Sequence, residues 1–179
     1  GVDWTIETWV YISITPTDYT GIIQSKTGTN NWIPYLGIGL MADGRINCSL
    51  NGTNNTTTQA IGRNTWNHLA LVRSGGVVKL YINGVASSVS VTVDIVNSNL
   101  LGYWFGKVDN MDGGGGTNGY LYYFTGYLSD VRFVKGTAVY KSNFVPPLAP
   151  LTATTGTTLL LNMDKSAIAD NAMMNNFET

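Results

Sequence analysis

The residues of this chain whose types and spacing could do chemistry are aromatic rings set close to amides and carboxylates. Tyr103, Trp104, Tyr120, Tyr122 and Tyr123 flank a stretch that begins Asp109-Asn110-Met111-Asp112 and runs into four consecutive Gly. A second cluster gathers Asn30, Asn31, Trp32 and Tyr35. The chemistry this favours is carbohydrate binding, in which ring faces pack on C–H groups and amides or carboxylates bond hydroxyls. The Gly-rich stretch reads as a long exposed loop, the usual seat of binding residues. The candidate ligand-binding set is therefore Tyr103, Trp104, Asp109, Asn110, Asp112, Tyr120, Tyr122, Trp32 and Tyr35. Strand alternation sends Tyr103 and Phe105 to the opposite face from Trp104, so part of this set belongs to a core.

Catalytic groups are scarce. His68 is the single His and reads as a packed residue at a strand entry. Glu occurs only at positions 7 and 178. Asp109 and Asp112 sit in a Gly-rich loop without fixed geometry, and nothing marks an activated nucleophile. Cys48, the lone Cys, shares a face with Ile46 and Leu50 and reads as a buried structural thiol. No internal disulfide can form, which argues mildly against a secreted animal protein and suits a bacterial or viral product, or assembly in a reducing cytoplasm.

The elements that must position these residues are strands. Charged residues make up only 12% of the 179-residue chain, while 44% are hydrophobic, with five Trp, ten Tyr and 21 Gly. Many β-branched and aromatic residues punctuated by Gly and Asn point to an all-β domain with a sizeable core. A net charge of −1 leaves no electrostatic footprint for nucleic acid. No apolar run reaches the roughly 18 residues of a spanning helix. No signal peptide is visible, and a chain opening on Gly1 without Met reads as a processed or excised piece.

Strand candidates are residues 4–12, 21–26, 35–41, 45–50, 66–73, 77–82, 85–93 and 100–107, a pair within 120–134, and 158–163. Asp43-Gly44, Asn51-Gly52, Gly75-Gly76 and Asn83-Gly84 are the hairpin turns. Residues 144–150, with Pro146, Pro147 and Pro150, form an extended connector. Residues 167–174 are read as a short helix in a weakly structured tail that spans 164–179. About a dozen short strands at close spacing predict a two-sheet antiparallel β-sandwich or jelly roll over residues 1–163.

Three segments carry a family resemblance. They are Thr5-Ile6-Glu7-Thr8-Trp9-Val10-Tyr11, the hairpin from Trp66 through Arg73 and Leu80-Tyr81-Ile82-Asn83-Gly84, and Phe124 through Lys135-Gly136 to Pro146-Pro147 and then Leu159 to Leu161. In this order they resemble the laminin G-like modules of the concanavalin A-like lectin/glucanase superfamily. The third segment is similar to modules of phage tail and other virion proteins.

The resemblance implies a non-catalytic, lectin-like recognition module on a virion surface or tail fibre. Its implied partners are host surface carbohydrate, other virion subunits and further copies of itself, without membrane insertion. A structural virion module with no glycan site is the alternative, and a glycosidase is disfavoured. Retaining glucanases of this superfamily need two closely spaced Glu, roughly 5–5.5 Å apart, and that pair is absent. Many such modules bind one calcium at the sandwich rim. Here Asp109 and Asp112 on one side and Asn54 on the other would make a weak site, because a neutral Asn replaces an anionic ligand. These modules also usually carry a strand ahead of the first matched one. Its absence here predicts an open edge at Trp4, to be filled by another chain or by the C-terminal tail.

Overall fold

A computed structural model describes residues 1–27, 36–93, 100–109, 121–164 and 167–170. Among them are fourteen strands and no helix. In chain order these are β1 (Trp4–Ile12), β2 (Tyr19–Thr27), β3 (Leu36–Met41), β4 (Arg45–Leu50), β5 (Thr53–Ala60), β6 (Trp66–Ser74) and β7 (Val77–Ile82). There follow β8 (Val85–Thr92), β9 (Leu100–Phe105), β10 (Lys107–Asp109), β11 (Leu121–Tyr123), β12 (Gly126–Lys135), β13 (Thr157–Asp164) and β14 (Ala167–Asp170).

The chain divides into two compact units. One comprises Gly1–Tyr11, Asn64–Thr92 and Tyr127–Thr179. It carries a seven-stranded sheet in the order β14-β13-β12-β1-β6-β7-β8. Strand β1 runs antiparallel to β6, placing Glu7 opposite Ala70 and Trp9 opposite His68. Directly opposed side chains share a face, so Thr5, Glu7, Trp9 and Tyr11 lie on the face of Trp66, His68, Ala70 and Val72. Ile6, Val10, Leu69 and Leu71 take the other face and are completely or almost completely buried.

The polar face is covered by the segment after β12. Tyr140 and Phe144 stack at 3.6 Å and pack on Ala70, Val72, Tyr81 and Ala138. The Asn83-Gly84 turn anchors this cover. Both residues have positive φ, 51° and 79°, as a two-residue type I′ hairpin requires. The Gly84 carbonyl accepts the Phe144 N–H at 2.9 Å.

The second unit comprises Ile12–Arg63 and Val93–Gly126. Its five-stranded sheet has the order β5-β4-β3-β2-β9, and β10 pairs with β11 beside it. Alternation buries Ile23, Ile38 and Cys48 in one cross-strand row on the apolar face. Burial pushes the Cys48 thiol far above the ordinary range, as expected of an inert structural Cys.

Two sequence expectations fail. Strand β1 is not an edge: β12 flanks it on one side and β6 on the other. The long return from Gly126 through Lys135 supplies its second neighbour, so Trp4 offers no open ladder. The helix expected over 167–174 is, over Ala167–Asp170, a strand paired with β13. Ladder pairing there outweighs the weak helix preference of a short Ala-containing run.

Candidate functional site

Register on the five-stranded sheet assembles a polar face from residues far apart in sequence. Trp104 of β9 lies opposite Gln24 of β2, which lies opposite Gly37 of β3. Gly37 pairs with Ser49 of β4, and Ser49 with Asn54 of β5. A parallel row joins Gly21, Gly39, Asn47 and Thr56. Five strands at ~4.8 Å spacing make the first row about 19 Å long.

The glycines of this face make room for larger neighbours. A Cβ on Gly39 would collide with the Tyr19 ring, and one on Gly37 with the Gln24 amide. Tyr19 and Gln24 thus lie down across β3. Gln24 Nε2 donates to the Tyr19 hydroxyl at 2.6 Å and to the Ile38 carbonyl at 3.2 Å. Burial pushes the Tyr19 hydroxyl up to about 12, against the opposing pull of bonds with Gln24, Asn47 and Ser49. Asn47 Nδ2 and Ser49 Oγ each donate to Asn54 Oδ1 at 2.9 Å, and Thr56 Oγ1 donates to Asn47 Oδ1 at 3.2 Å. Gln24 is 3% exposed, yet its Oε1 has no hydrogen-bond donor among the described residues. An unmet buried acceptor costs about 1–3 kcal/mol, so this atom wants a donor.

The candidates from sequence fall as follows. Trp104 and Asn54 stand in one row, at opposite sides of the sheet. The Lys107 ammonium sits 3.3 Å from the Trp104 ring centroid, a cation–π contact. Tyr103 projects to the apolar face with Ser25, and burial raises its hydroxyl. Asp109 closes β10 and Tyr122 lies in β11, opposite Leu121 and Val108 respectively. Trp32, Tyr35, Asn110, Asp112 and Tyr120 lie outside the described residues. Sequence reasoning missed Tyr19, Gln24, Asn47 and Ser49. The signal for them was present in the Leu-Gly-Ile-Gly-Leu alternation of β3 and the Asn-Cys-Ser alternation of β4.

A calcium ion finds little here. Asn54 Oδ1 already accepts two hydrogen bonds, the capacity of its lone pairs. Among the described residues no three of His, Cys, Asp or Glu gather closely enough to hold a metal. Asn54 is thus already taken up, and the side chains of Asp109 and Asp112 lie outside the described ones.

The seven-stranded sheet holds a buried charge cluster. Glu7 accepts from Arg132 Nε and Nη2 at 2.8 and 2.5 Å, from His68 Nε2 at 3.1 Å and from the Tyr140 hydroxyl at 2.9 Å. Burial pushes the Glu7 carboxyl up, but His68 and Arg132 more than offset this and hold it below its ordinary value. His68 is ringed by Trp9, Tyr140 and Phe144 at 5.1–6.2 Å and is 0% exposed. A cluster so enclosed ties β1, β6 and β12 to their cover. It cannot reach a substrate.

A laminin G family model, described as the concanavalin A-like lectin/glucanases superfamily, matches residues 1–138. No curated protein matches the chain. A candidate carbohydrate binding protein from Bacteroides ovatus superposes with a TM-score of 0.67 at 18% identity, over 92% of this chain and 46% of its own. Domain 4 of a GH43 extracellular arabinanase from Geobacillus stearothermophilus, in complex with arabinotriose, gives 0.53 at 20% identity, over 76% and 62%. Trypanosoma rangeli sialidase gives 0.59 at 12% identity, over 78% of this chain and 21% of that one. The chain thus spans less than two thirds of each of these proteins. At such identities they share a fold, the all-β concanavalin A-like jelly roll expected from sequence.

Proposed function

Because the chain belongs to the concanavalin A-like lectin/glucanases superfamily, we propose that it is a non-catalytic module that binds carbohydrate on the polar face of its five-stranded sheet. The observation that carries this reading is the row Trp104–Gln24–Gly37–Ser49–Asn54. It puts an indole in line with the buried Gln24 amide, the Ser49 hydroxyl and the exposed Asn54 amide. A sugar offers C–H groups to the indole and hydroxyls to the polar side chains that reach the surface of this row. Lys107 covers the Trp104 ring and would shift aside or turn its ammonium to a sugar oxygen.

Two solved structures of the same fold lend support, one described as a carbohydrate binding protein and one holding arabinotriose. A retaining glycosidase of this superfamily would need two closely spaced Glu, and the sequence has Glu only at 7 and 178. Of the two Glu, Glu7 is sealed in its cluster, 0% exposed. The setting we infer is a virion surface or tail fibre, outside the cell. Host surface glycan is the ligand there, and sister copies or other virion subunits are the neighbours. That setting rests on the likeness of the segment from Phe124 to Pro147 to virion modules. In this reading a weak calcium site is held by Asp109 and Asp112, without Asn54, whose Oδ1 is taken up.

The test is a glycan array run with calcium and with chelator, followed by titration of hits against Trp104→Ala. The variant should weaken binding at least about tenfold, or ~1.4 kcal/mol. An array without hits would leave a purely structural module. Hits unaffected by Trp104→Ala would remove this face from the reading.

A further inference from the structure

We propose a second saccharide site, on the covered face of the seven-stranded sheet, built by Trp9, Trp66, Ser129 and Asp130. These residues line an open depression of about 370 Å³ whose far wall includes Pro147 and Pro150. That volume falls within the roughly 300–1,000 Å³ usual for small-ligand sites. The site goes beyond the function proposed above. It shares no residue with the Trp104 row, so either site can fail alone.

Three features converge on it. The first is aromatic surface left in water. Trp66 is 43% exposed and Tyr127 64%, both packed against Tyr11 at 5.7 Å. Leu148, on the wall of the depression, is 94% exposed. Rings of this size normally bury themselves or meet a partner.

The second is backbone strain. Asp130 sits within β12 at φ 50°, the left-handed region that a strand residue other than Gly seldom enters. Such a kink re-aims a side chain, and it clusters at ligand sites. Asp130 is then fixed by its neighbours: Asn162 Nδ2 donates to Oδ1 at 2.6 Å and Ser129 Oγ to Oδ2 at 3.2 Å. A carboxylate has about four lone-pair sites, so each oxygen retains capacity for one more donor.

The third is the chemistry of the lining. Asp130 only accepts, the Trp9 and Trp66 indoles donate through Nε1–H, and Pro147 and Pro150 have no N–H. A neutral sugar donates a hydroxyl to the carboxylate, accepts from an indole N–H and packs its C–H face on a ring. An organic cation would meet the carboxylate by charge alone, and the experiment separates the two.

The experiment follows the indole N–H signals of the ¹⁵N-labelled full chain by NMR, which separates its five Trp. The probes are maltotriose, cellotriose and arabinotriose, with tetramethylammonium as the cation. A saccharide should shift the Trp9 and Trp66 signals saturably, and should still do so in Trp104→Ala. Trp66→Ala should abolish the shift at Trp9. Asp130→Asn, which keeps the left-handed backbone accessible, should weaken binding about tenfold, the worth of one hydrogen bond to a charged group. Shifts confined to Trp104, no shift with any saccharide, or shifts with tetramethylammonium alone would each overturn the proposal.

Discussion

At the residue scale, Glu7 shows how a side chain can look chemical and be architectural. In the sequence it is one of two Glu and the fourth residue of a strand-like run. Its role is set by Arg132, 125 residues away, and by His68 and Tyr140. None of these pairings follows from local spacing, because strand order alone brings β1 between β6 and β12. The His68 reading as a packed residue needed only its place at a strand entry. The cluster has a measurable consequence. Because folding lowers the Glu7 pKa, its stabilisation is complete above the ordinary value of 4.5 and is lost as pH falls through the lower folded value. Urea midpoints should therefore drop as pH is taken below that range. Glu7→Gln should cost about 3–5 kcal/mol at neutral pH, since it leaves Arg132 buried without its partner. The gap between variant and wild type should then narrow in acid. A constant gap across the titration would mean that the Glu7 charge contributes nothing.

At the scale of elements, turns were legible and rows were not. Asn51-Gly52 and Asn83-Gly84 announce their hairpins because type I′ geometry demands two residues tolerant of positive φ, and Gly44 alone takes the left-handed position that closes the Ala42-Asp43-Gly44 loop. Which side chains meet across strands depends on register instead, and a one-residue irregularity changes it. Strand β2 has such a shift between Gly21 and Ile23. It breaks the simple alternation of Tyr19 to Ser25 and hides the fact that Gly21 and Gln24 share a face with Trp104. The polar run after Asn51-Gly52 was legible as polar, yet it forms the edge strand β5, where Thr and Asn suit an open ladder.

One comparison separates the two duties of a turn glycine. Gly52 and Gly84 have φ of 76° and 79°, but a Cβ on Gly52 meets nothing within 4 Å, whereas one on Gly84 would strike the Phe144 carbonyl. Gly52→Asn should cost under about 1 kcal/mol, because Asn accepts the conformation. Gly84→Asn should cost ~1–3 kcal/mol more, the price of forcing the 137–150 cover off its turn. Equal losses in thermal unfolding would show that the cover does not depend on Gly84.

At the scale of the whole molecule, composition and segment order suggested the family before any residue contact did. Three motif segments in sequence order fix an all-β chain of the superfamily that the family model identifies. The two faces proposed for ligand were not foreseeable, because each is assembled from strands tens of residues apart. What composition does determine is the kind of ligand either face can hold. The chain carries ten Lys and Arg against eleven Asp and Glu, for a net charge of −1. Three of its four Arg are engaged: Arg132 with Glu7, Arg45 with Asp43, and Arg73 with the Gly1 and Val2 carbonyls. The long-range field is therefore weak, and association with a neutral saccharide should gain little from steering. Between roughly 0.05 and 0.5 M salt the Debye length falls from about 14 to 4 Å, which would cut polyanion binding steeply. Affinity for a neutral glycan should change by less than about twofold over that range, and addition of calcium should not alter this slope. A strong fall with salt, measured by titration calorimetry on the intact chain, would instead point to an acidic glycan held through Lys107, because that ammonium lies over the Trp104 ring on the proposed face.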